Sequence, residues 1–296
     1  MSASLTTAEI ATQPDCWLRA VELAPAAAGS LPRRGERVAV IGCGTSWFMA
    51  QSYAVLREQA GHGLTDAFAA SAFPYGRGYD RVLAITRSGT TTEVLQAGRR
   101  LRADGVPVVA VTADPRTPVT EAADDLVVLD FADERSVVQT RFATTALALL
   151  RAHLGDDLTG AIADARAAVT EDLPAVLPAA EQTTFLGSGW TYGLAQEAAL
   201  KMREAAGAWT ESYPAMEYRH GPISITGPGR AVWAFGELPE GLADAIAATG
   251  GHLEARPDLD PLADLVRAQR LAVAVAGRRG LDPDRPRHLT RSVVLG

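Results

Sequence analysis

"VAVIGCGTSWFMAQSYA", residues 38–54, decides how the rest of the chain is read. It opens on an unbroken apolar run, turns on Gly42 and Gly44, and continues with helical spacing. A strand buried on both faces reads as a continuous apolar run, because no side of it meets water. The run "RVAVIG" (37–42) is followed by three of the same kind: "RVLAIT" (81–86), "PVVAVT" (107–112) and "DLVVLD" (125–130). Between them lie the helical patterns "SWFMAQSYAVLREQAG" (46–61) and "TTEVLQAGRRLRADG" (91–105). Strands alternating with helices imply a parallel sheet, so the first half is expected to be an α/β doubly wound domain.

The opening stretch also has a partner. Setting it above "TTFLGSGWTYGLAQEAA" (183–199) aligns Gly42 with Gly187, Gly44 with Gly189, Ala50 with Ala195, Gln51 with Gln196 and Ala54 with Ala199, all at one offset. This is the signature of an internal repeat. Two tandem doubly wound parallel-sheet domains are therefore expected, over residues 1–155 and 156–280, with a tail at 281–296. The joining segment holds a helical "LTGAIADARAAVTEDL" (158–173).

Composition bounds what such a chain does. At 296 residues and 47% hydrophobic it can bury large cores, and a net charge of −7 argues against a nucleic-acid partner, since phosphate backbones are held by clustered Lys and Arg. No apolar run approaches the roughly 18 residues of a membrane span, and the N-terminus "MSASLTTAEIATQPD" lacks the basic and apolar regions of a signal peptide. The two cysteines, Cys16 and Cys43, make neither a disulfide framework nor a metal-ligand pattern. The expectation is a cytoplasmic protein without metal or cofactor.

"ITRSGTTTE" (85–93) follows the second strand and crowds five hydroxyl side chains around one glycine. Thr90 and Glu93 fit a capping box, which leaves Thr86, Ser88 and Thr91 for something else. The turn "GCGTSW" (42–47) does not continue as a dinucleotide fingerprint, because Trp47 stands where a third glycine is needed. It does place Thr45 and Ser46 at the opening of a helix, where free N–H groups favour an anion. Two hydroxyl-bearing loops at the carboxyl ends of strands suit a phosphate. No comparable hydroxyl loop follows "AVWAFGELPEG" (231–241), so one such site per chain is expected.

Further on, Glu197, Lys201 and Glu204 share one helix face. For Glu197 and Lys201 a solvated salt-bridge ladder is the simpler reading. His220 precedes a Gly-Pro turn. A carboxylate, a histidine and a phosphate site together suit proton transfer on a sugar phosphate.

Several ordered motifs now carry a resemblance: "EIATQP" (9–14), "GCGTSW" (42–47), "TRSGTTTE" (86–93), "ERSVVQTRF" (134–142), "ALKMREA" (199–205), "ESYPAMEYRHGP" (211–222) and "DRPRHLTRSVV" (284–294). The chain resembles the double sugar-isomerase (SIS) domain family, both the isomerase half of glucosamine-6-phosphate synthase and stand-alone amino-sugar-phosphate deaminase/isomerases. The resemblance implies that Cys43, Gly44, Thr45, Thr86, Arg87, Ser88 and Thr91 line the 6-phosphate and sugar site, with Ser46 beside them. It implies sugar contacts for Val137 and Lys201, a proton-moving base in Glu204 and ring opening by His220. In the family that histidine reaches a neighbouring subunit, which implies a homodimer with shared sites and a tail that reaches the active site.

Three departures qualify the resemblance. No glutaminase segment precedes residue 1, so synthase activity is not expected. Arg291 stands where the family places a catalytic Lys, and a guanidinium stays protonated and cannot form a Schiff base. Arg87 replaces the usual glutamine, adding a charged donor near the phosphate. The expected activity is therefore directed at an aldose, a 2-amino- or 2-acetamido-hexose 6-phosphate. Ring opening and C2 proton abstraction would lead to isomerisation and deamination, or to β-elimination of water. The alternative is a sensor or regulator that binds sugar phosphate without turning it over.

Overall fold

Every strand in the described residues, 4–295 of a computed structural model, runs parallel to its neighbours, in two separate sheets. Helices α1 (Leu5–Ala11) and α2 (Gln13–Ala27) lead into strand β1 (Val38–Gly42), which is buried along its whole length. Then follow α3 (Thr45–Gln59), β2 (Thr65–Ala69), β3 (Arg81–Ile85), α4 (Thr92–Ala103), β4 (Val108–Thr112), the short α5 (Val119–Ala122), β5 (Asp125–Val128) and the largely buried α6 (Arg141–His153). The first sheet has the order β2-β1-β3-β4-β5. The chain contacts group residues 15–135, 139–158 and those from Thr290 onward into the unit built on this sheet.

The second unit comprises residues up to Pro14, 136–138 and 159–289. It contains α7 (Thr159–Ala168), β6 (Gln182–Gly187), α8 (Thr191–Ala206), β7 (Trp209–Pro214), β8 (Arg230–Ala234), α9 (Leu242–Ala248), β9 (His252–Ala255) and α10 (Pro261–Arg278). Its sheet has the order β7-β6-β8-β9, the same path as the first four strands of the other sheet.

The glycines aligned in the sequence occupy equivalent backbone positions. A Cβ on Gly42 would stand 2.6 Å from the Ser46 carbonyl carbon and 2.8 Å from the Trp47 nitrogen. On Gly187 it would stand 2.5 Å from the Thr191 carbonyl carbon and 2.6 Å from the Tyr192 nitrogen. Each strand end thus touches the first turn of its own following helix, and only glycine leaves room. Gly44 and Gly189 hold left-handed conformations, φ 54° and 56°, that redirect the chain into those helices.

The four apolar runs of the first half form β1, β3, β4 and β5. The sequence reading missed β2, "TDAFA", which lies at a sheet edge and is only half buried beyond Thr65. It missed β7 and β9 for the same reason: an edge strand in contact with water does not show a continuous apolar run.

Gly187→Ala is expected to lower the unfolding free energy by about 3 kcal/mol or more, since backbone rather than a movable side chain blocks the new methyl group. Gly277→Ala in α10, where a Cβ meets nothing within 4 Å, should instead stabilise by about 0.4–1 kcal/mol. Urea denaturation followed by circular dichroism separates the two. A Gly187→Ala protein as stable as its parent would remove the close-approach account.

Candidate functional site

The first sheet reverses its winding between β1 and β3, which pair directly from Val38↔Arg81 to Ile41↔Ala84. In open α/β sheets ligands bind outside the carboxyl ends of strands at such a reversal, where the two outgoing loops diverge. The loops there are 43–46 and 86–91. No side chain caps the N-terminus of α3, while Thr45 and Ser46 lie in its first turn. Both are buried, as is Thr86.

In the 86–91 loop, the Ser88 hydroxyl accepts from the Thr90 N–H at 3.2 Å. The Thr90 hydroxyl lies 3.0 Å from that of Ser88 and 2.9 Å from that of Ser292. The capping box read from Thr90 and Glu93 does not form. Helix α4 begins at Thr92 with Thr91 as N-cap and no side-chain cap bond, so Glu93 sits one position too early to reach back. The carboxyl-terminal tail takes over this task. The Thr92 N–H donates to the Val293 carbonyl at 3.1 Å, and the Leu295 N–H donates to the Thr92 hydroxyl at 2.9 Å.

Arg87 is buried in the same loop. Its guanidinium pairs with Glu134 at 3.5 Å and donates to the Arg291 carbonyl at 3.0 Å. Arg291 in turn donates to the Glu134 carbonyl and pairs with Asp133. Glu134 is fully buried and also accepts from the N–H and hydroxyl of Thr140, at 2.6 and 2.7 Å, and from the Arg141 N–H at 2.8 Å. Arg87 and the start of α6 therefore share one carboxylate, while Arg291 takes the backbone carbonyl of the same residue. Sequence reasoning quoted Glu134 within a motif but gave it no role; a lone acidic residue beside a serine and an arginine carries no local signal of burial.

Cys43 packs against the core of this unit. Burial pushes its thiol up to about 11, with the Glu93 charge adding to the shift and the Ala70 backbone opposing it. It is a neutral thiol at physiological pH, suited to lining a site and unsuited to attack.

In the second unit, Lys201 and Glu197 are almost wholly buried and lie 3.6 Å apart, and Lys201 also pairs with Glu204. The expectation of a solvated ladder is thus corrected: the helix face that carries these charges is turned inward, and α10 packs on α8. Glu204 keeps 18% of its side chain exposed, so one carboxylate of the cluster is reachable. His220 is exposed at the end of a short 3-10 turn, Glu217–Arg219, directly before Gly221 and Pro222. Val137 is half-buried, next to Ser136, whose hydroxyl bonds to the Glu9 carboxylate. The loops that hold Cys43 to Ser46 and Thr86 to Thr91 thus belong with Arg291 to one unit, and Val137, Lys201, Glu204 and His220 to the other.

The second sheet has its own reversal, between β6 and β8. There the Thr191 hydroxyl accepts from the Ser188 N–H at 2.8 Å and lies 3.1 Å from the Phe235 carbonyl. The outgoing loops are tied to each other by the protein's own groups. Among the described residues, no group of three or more His, Cys, Asp or Glu is placed to hold a metal ion, and no helix is long and apolar enough to cross a membrane.

Removing the ammonium strands a buried carboxylate, so Lys201→Met should cost about 3–5 kcal/mol. Adding Glu197→Gln should recover part of that loss in the same denaturation assay; an additive double variant would contradict a buried pair. In a Cys16→Ala background, alkylation of Cys43 should accelerate about tenfold per pH unit up to about 11, the thiol staying protonated until then. A rate that levels off near pH 9 would show an unperturbed thiol.

Comparison with known proteins agrees with this architecture. Residues 33–154 match the SIS domain. Over 89% of its length the chain is 27% identical to a glutamine–fructose-6-phosphate aminotransferase (isomerizing) of Sulfurisphaera tokodaii, covering 51% of that protein. The chain thus spans about half the length of the curated relatives it matches. Among solved structures, a glucosamine-6-phosphate deaminase from Thermotoga maritima superposes with a TM-score of 0.80 at 23% identity, over 98% of this chain and 100% of that one. The C-terminal domain of glucosamine-fructose-6-phosphate aminotransferase from Francisella tularensis gives 0.84 at 20% identity, over 97% and 99%. These likenesses show the fold. The expectation of two SIS domains is corrected to this extent: the family match covers the first sheet's residues and stops before the second sheet begins. Residues 33–154 match the SIS domain, in a chain whose parallel α/β fold is shared nearly end to end with these two solved structures.

Proposed function

We propose that the protein is an enzyme acting on a 2-amino- or 2-acetamido-hexose 6-phosphate. The observation that carries this reading is the reversal point of the first sheet, where hydroxyl loops flank an uncapped helix N-terminus. A phosphate there meets backbone N–H groups and short hydroxyls, which orient a substrate without reacting with it. Thr45, Ser46, Thr86, Ser88 and Thr91 form the cradle in this reading, with Cys43 and Gly44 beside them. The bonds of Arg87 support a different task for it, holding the tail.

Chemistry falls to the second unit. His220 assists ring opening, and the free C1 aldehyde acidifies the C2 proton. Glu204 takes that proton, and Lys201 compensates its charge. The electron pair then moves into a C1=C2 double bond, with the C1 oxygen becoming an enolate and the nitrogen still on C2. Return of the proton to C1 gives the ketose-level product; with a free amine, water hydrolyses the imine and ammonia leaves. If instead the C3–O bond breaks, water departs and a dehydrated sugar phosphate remains. Val137 contacts the sugar. Arg291, held by Asp133, acts as a fixed charge and forms no imine with a ketose. The repeated strand order and the paired glycines support a tandem duplication, with domains at 1–155 and 156–280. The exposure of His220 supports a homodimer in which it completes a neighbouring site.

Proton NMR in D₂O with glucosamine 6-phosphate, N-acetylglucosamine 6-phosphate and fructose 6-phosphate, the last with and without ammonia, tests this reading. The C2 proton signal of an aldose should disappear, with products that identify isomerisation, deamination or elimination. Glu204→Gln should slow that exchange by about 10²–10⁴-fold and leave phosphate-dependent binding in place. Binding of all three sugars with neither exchange nor product would replace the enzyme with a sensor.

A further inference from the structure

The carboxyl end of α8 opens onto a cavity of about 380 Å³ within the second unit. Four arginines, Arg203, Arg279, Arg285 and Arg287, line it together with two acidic residues, Glu204 and Asp282. Glu204 is already paired with Lys201. Asp282 accepts from the Asp284 N–H at 2.9 Å and reaches Arg285 only at 3.9 Å. Arg287 has no ion-pair partner among the described residues. The cavity therefore holds uncompensated positive charge in a chain whose net charge is −7.

The wall is held in place rather than trailing in solvent. Asp284 accepts from the N–H groups of Leu5 and Thr6 and from the Thr6 hydroxyl, all at 2.7–2.8 Å, which fixes the segment to the first turn of α1. His288, the next residue after Arg287, takes a left-handed conformation at φ 63° that turns the chain there. On the opposite wall Arg279 donates to the carbonyls of Ala206 and Gly207, at 3.1 and 3.0 Å. These bonds cover the helix-end carbonyls that would otherwise repel an anion. Arg203 is braced on the Thr210 hydroxyl at 3.2 Å.

We propose that this cavity binds a small phosphate-bearing anion with at least two negative charges, best matched by a diphosphate group. Planar guanidinium forks meet phosphoryl oxygens two at a time, and four arginines around one cavity suit a ligand that carries two phosphoryl centres. The volume excludes a long polyanion. None of the four arginines belongs to the hydroxyl cradle; the cavity shares one residue with the sugar-phosphate reading, Glu204, whose charge Lys201 already meets.

Calorimetric titration of the full-length protein with inorganic pyrophosphate, at low and high salt, tests the proposal. Saturable binding is expected, weakening with salt. Arg285→Ala/Arg287→Ala should weaken it at least about tenfold, and Arg285→Lys/Arg287→Lys less, because the charge stays while the fork is lost. The Arg285 side chain is 88% exposed, so these variants should melt like the parent. Arg99→Ala/Arg102→Ala, which removes the same charge from an exposed face of α4, should leave pyrophosphate affinity within about twofold, since neither residue lines the cavity. Absence of binding, indifference to the Arg285/Arg287 pair, or equal loss in the Arg99/Arg102 variant would each overturn the proposal. Pyrophosphate has no carbon-bound proton, so such a failure leaves the proton-exchange reading to stand or fall by its own assay.

Discussion

The close approach of a strand end to the helix that follows it governs both sheets. At Gly42 and at Gly187 the missing side chain lets backbone touch backbone, which fixes where α3 and α8 begin. A helix that starts at a strand's carboxyl end points its free N–H groups along the sheet edge where adjacent loops diverge. The hydroxyls of Thr45 and Ser46 lie there as a consequence of this contact. A methyl group at Gly42 would push α3 outward and move both. The anion-binding potential of the first unit is thus set by what a residue lacks.

Burial explains which parts of the fold were legible in the sequence. Strands β1, β4 and β6 are buried throughout, so the absence of water imposed a pattern that can be read. Edge strands β2 and β9 contact solvent on part of their surface, and their sequences carry polar residues that read equally well as loops. The candidate site followed the same logic. Spacing placed Glu197, Lys201 and Glu204 on one face of α8, because helix geometry is local. Whether that face meets water or is buried depends on tertiary packing, and the ladder reading failed on that point. The capping box failed in the same way: Thr90 and Glu93 have the right spacing, but the helix begins later because residues 293–295 supply bonds from the far end of the chain.

Two apparent irregularities of the sequence are one structure. The sequence reading singles out Arg87 and Arg291 as departures, and they are more than two hundred residues apart in the chain. In the fold the Arg87 guanidinium donates to the Arg291 carbonyl, the Arg291 guanidinium donates to the Glu134 carbonyl, and Arg87 pairs with the Glu134 carboxylate. A neutral amide at position 87 could bond the tail but could not balance Glu134, whose fully buried carboxylate needs a countercharge. A lysine at 291 has no planar fork with which to meet the Glu134 carbonyl and the Asp133 carboxylate together. The two substitutions make sense as a pair: each supplies geometry that the other's backbone or acidic neighbour completes.

The contrast between the two reversal points carries this reasoning one step further. Both sheets follow the same path, and both place a glycine turn and a helix start at the reversal. In the second sheet Thr191 spends its hydroxyl on Ser188 and Phe235, linking the loops that leave β6 and β8. In the first sheet the Thr90 hydroxyl bonds to that of Ser88 and to that of Ser292 in the tail. A bond to a tail is more readily exchanged for a ligand than a bond within the framework, because the tail's release does not require strands and helix to separate. Equivalent folds thus differ in the partner chosen for a few hydroxyls: a carbonyl of the framework in the second sheet and a serine of the tail in the first.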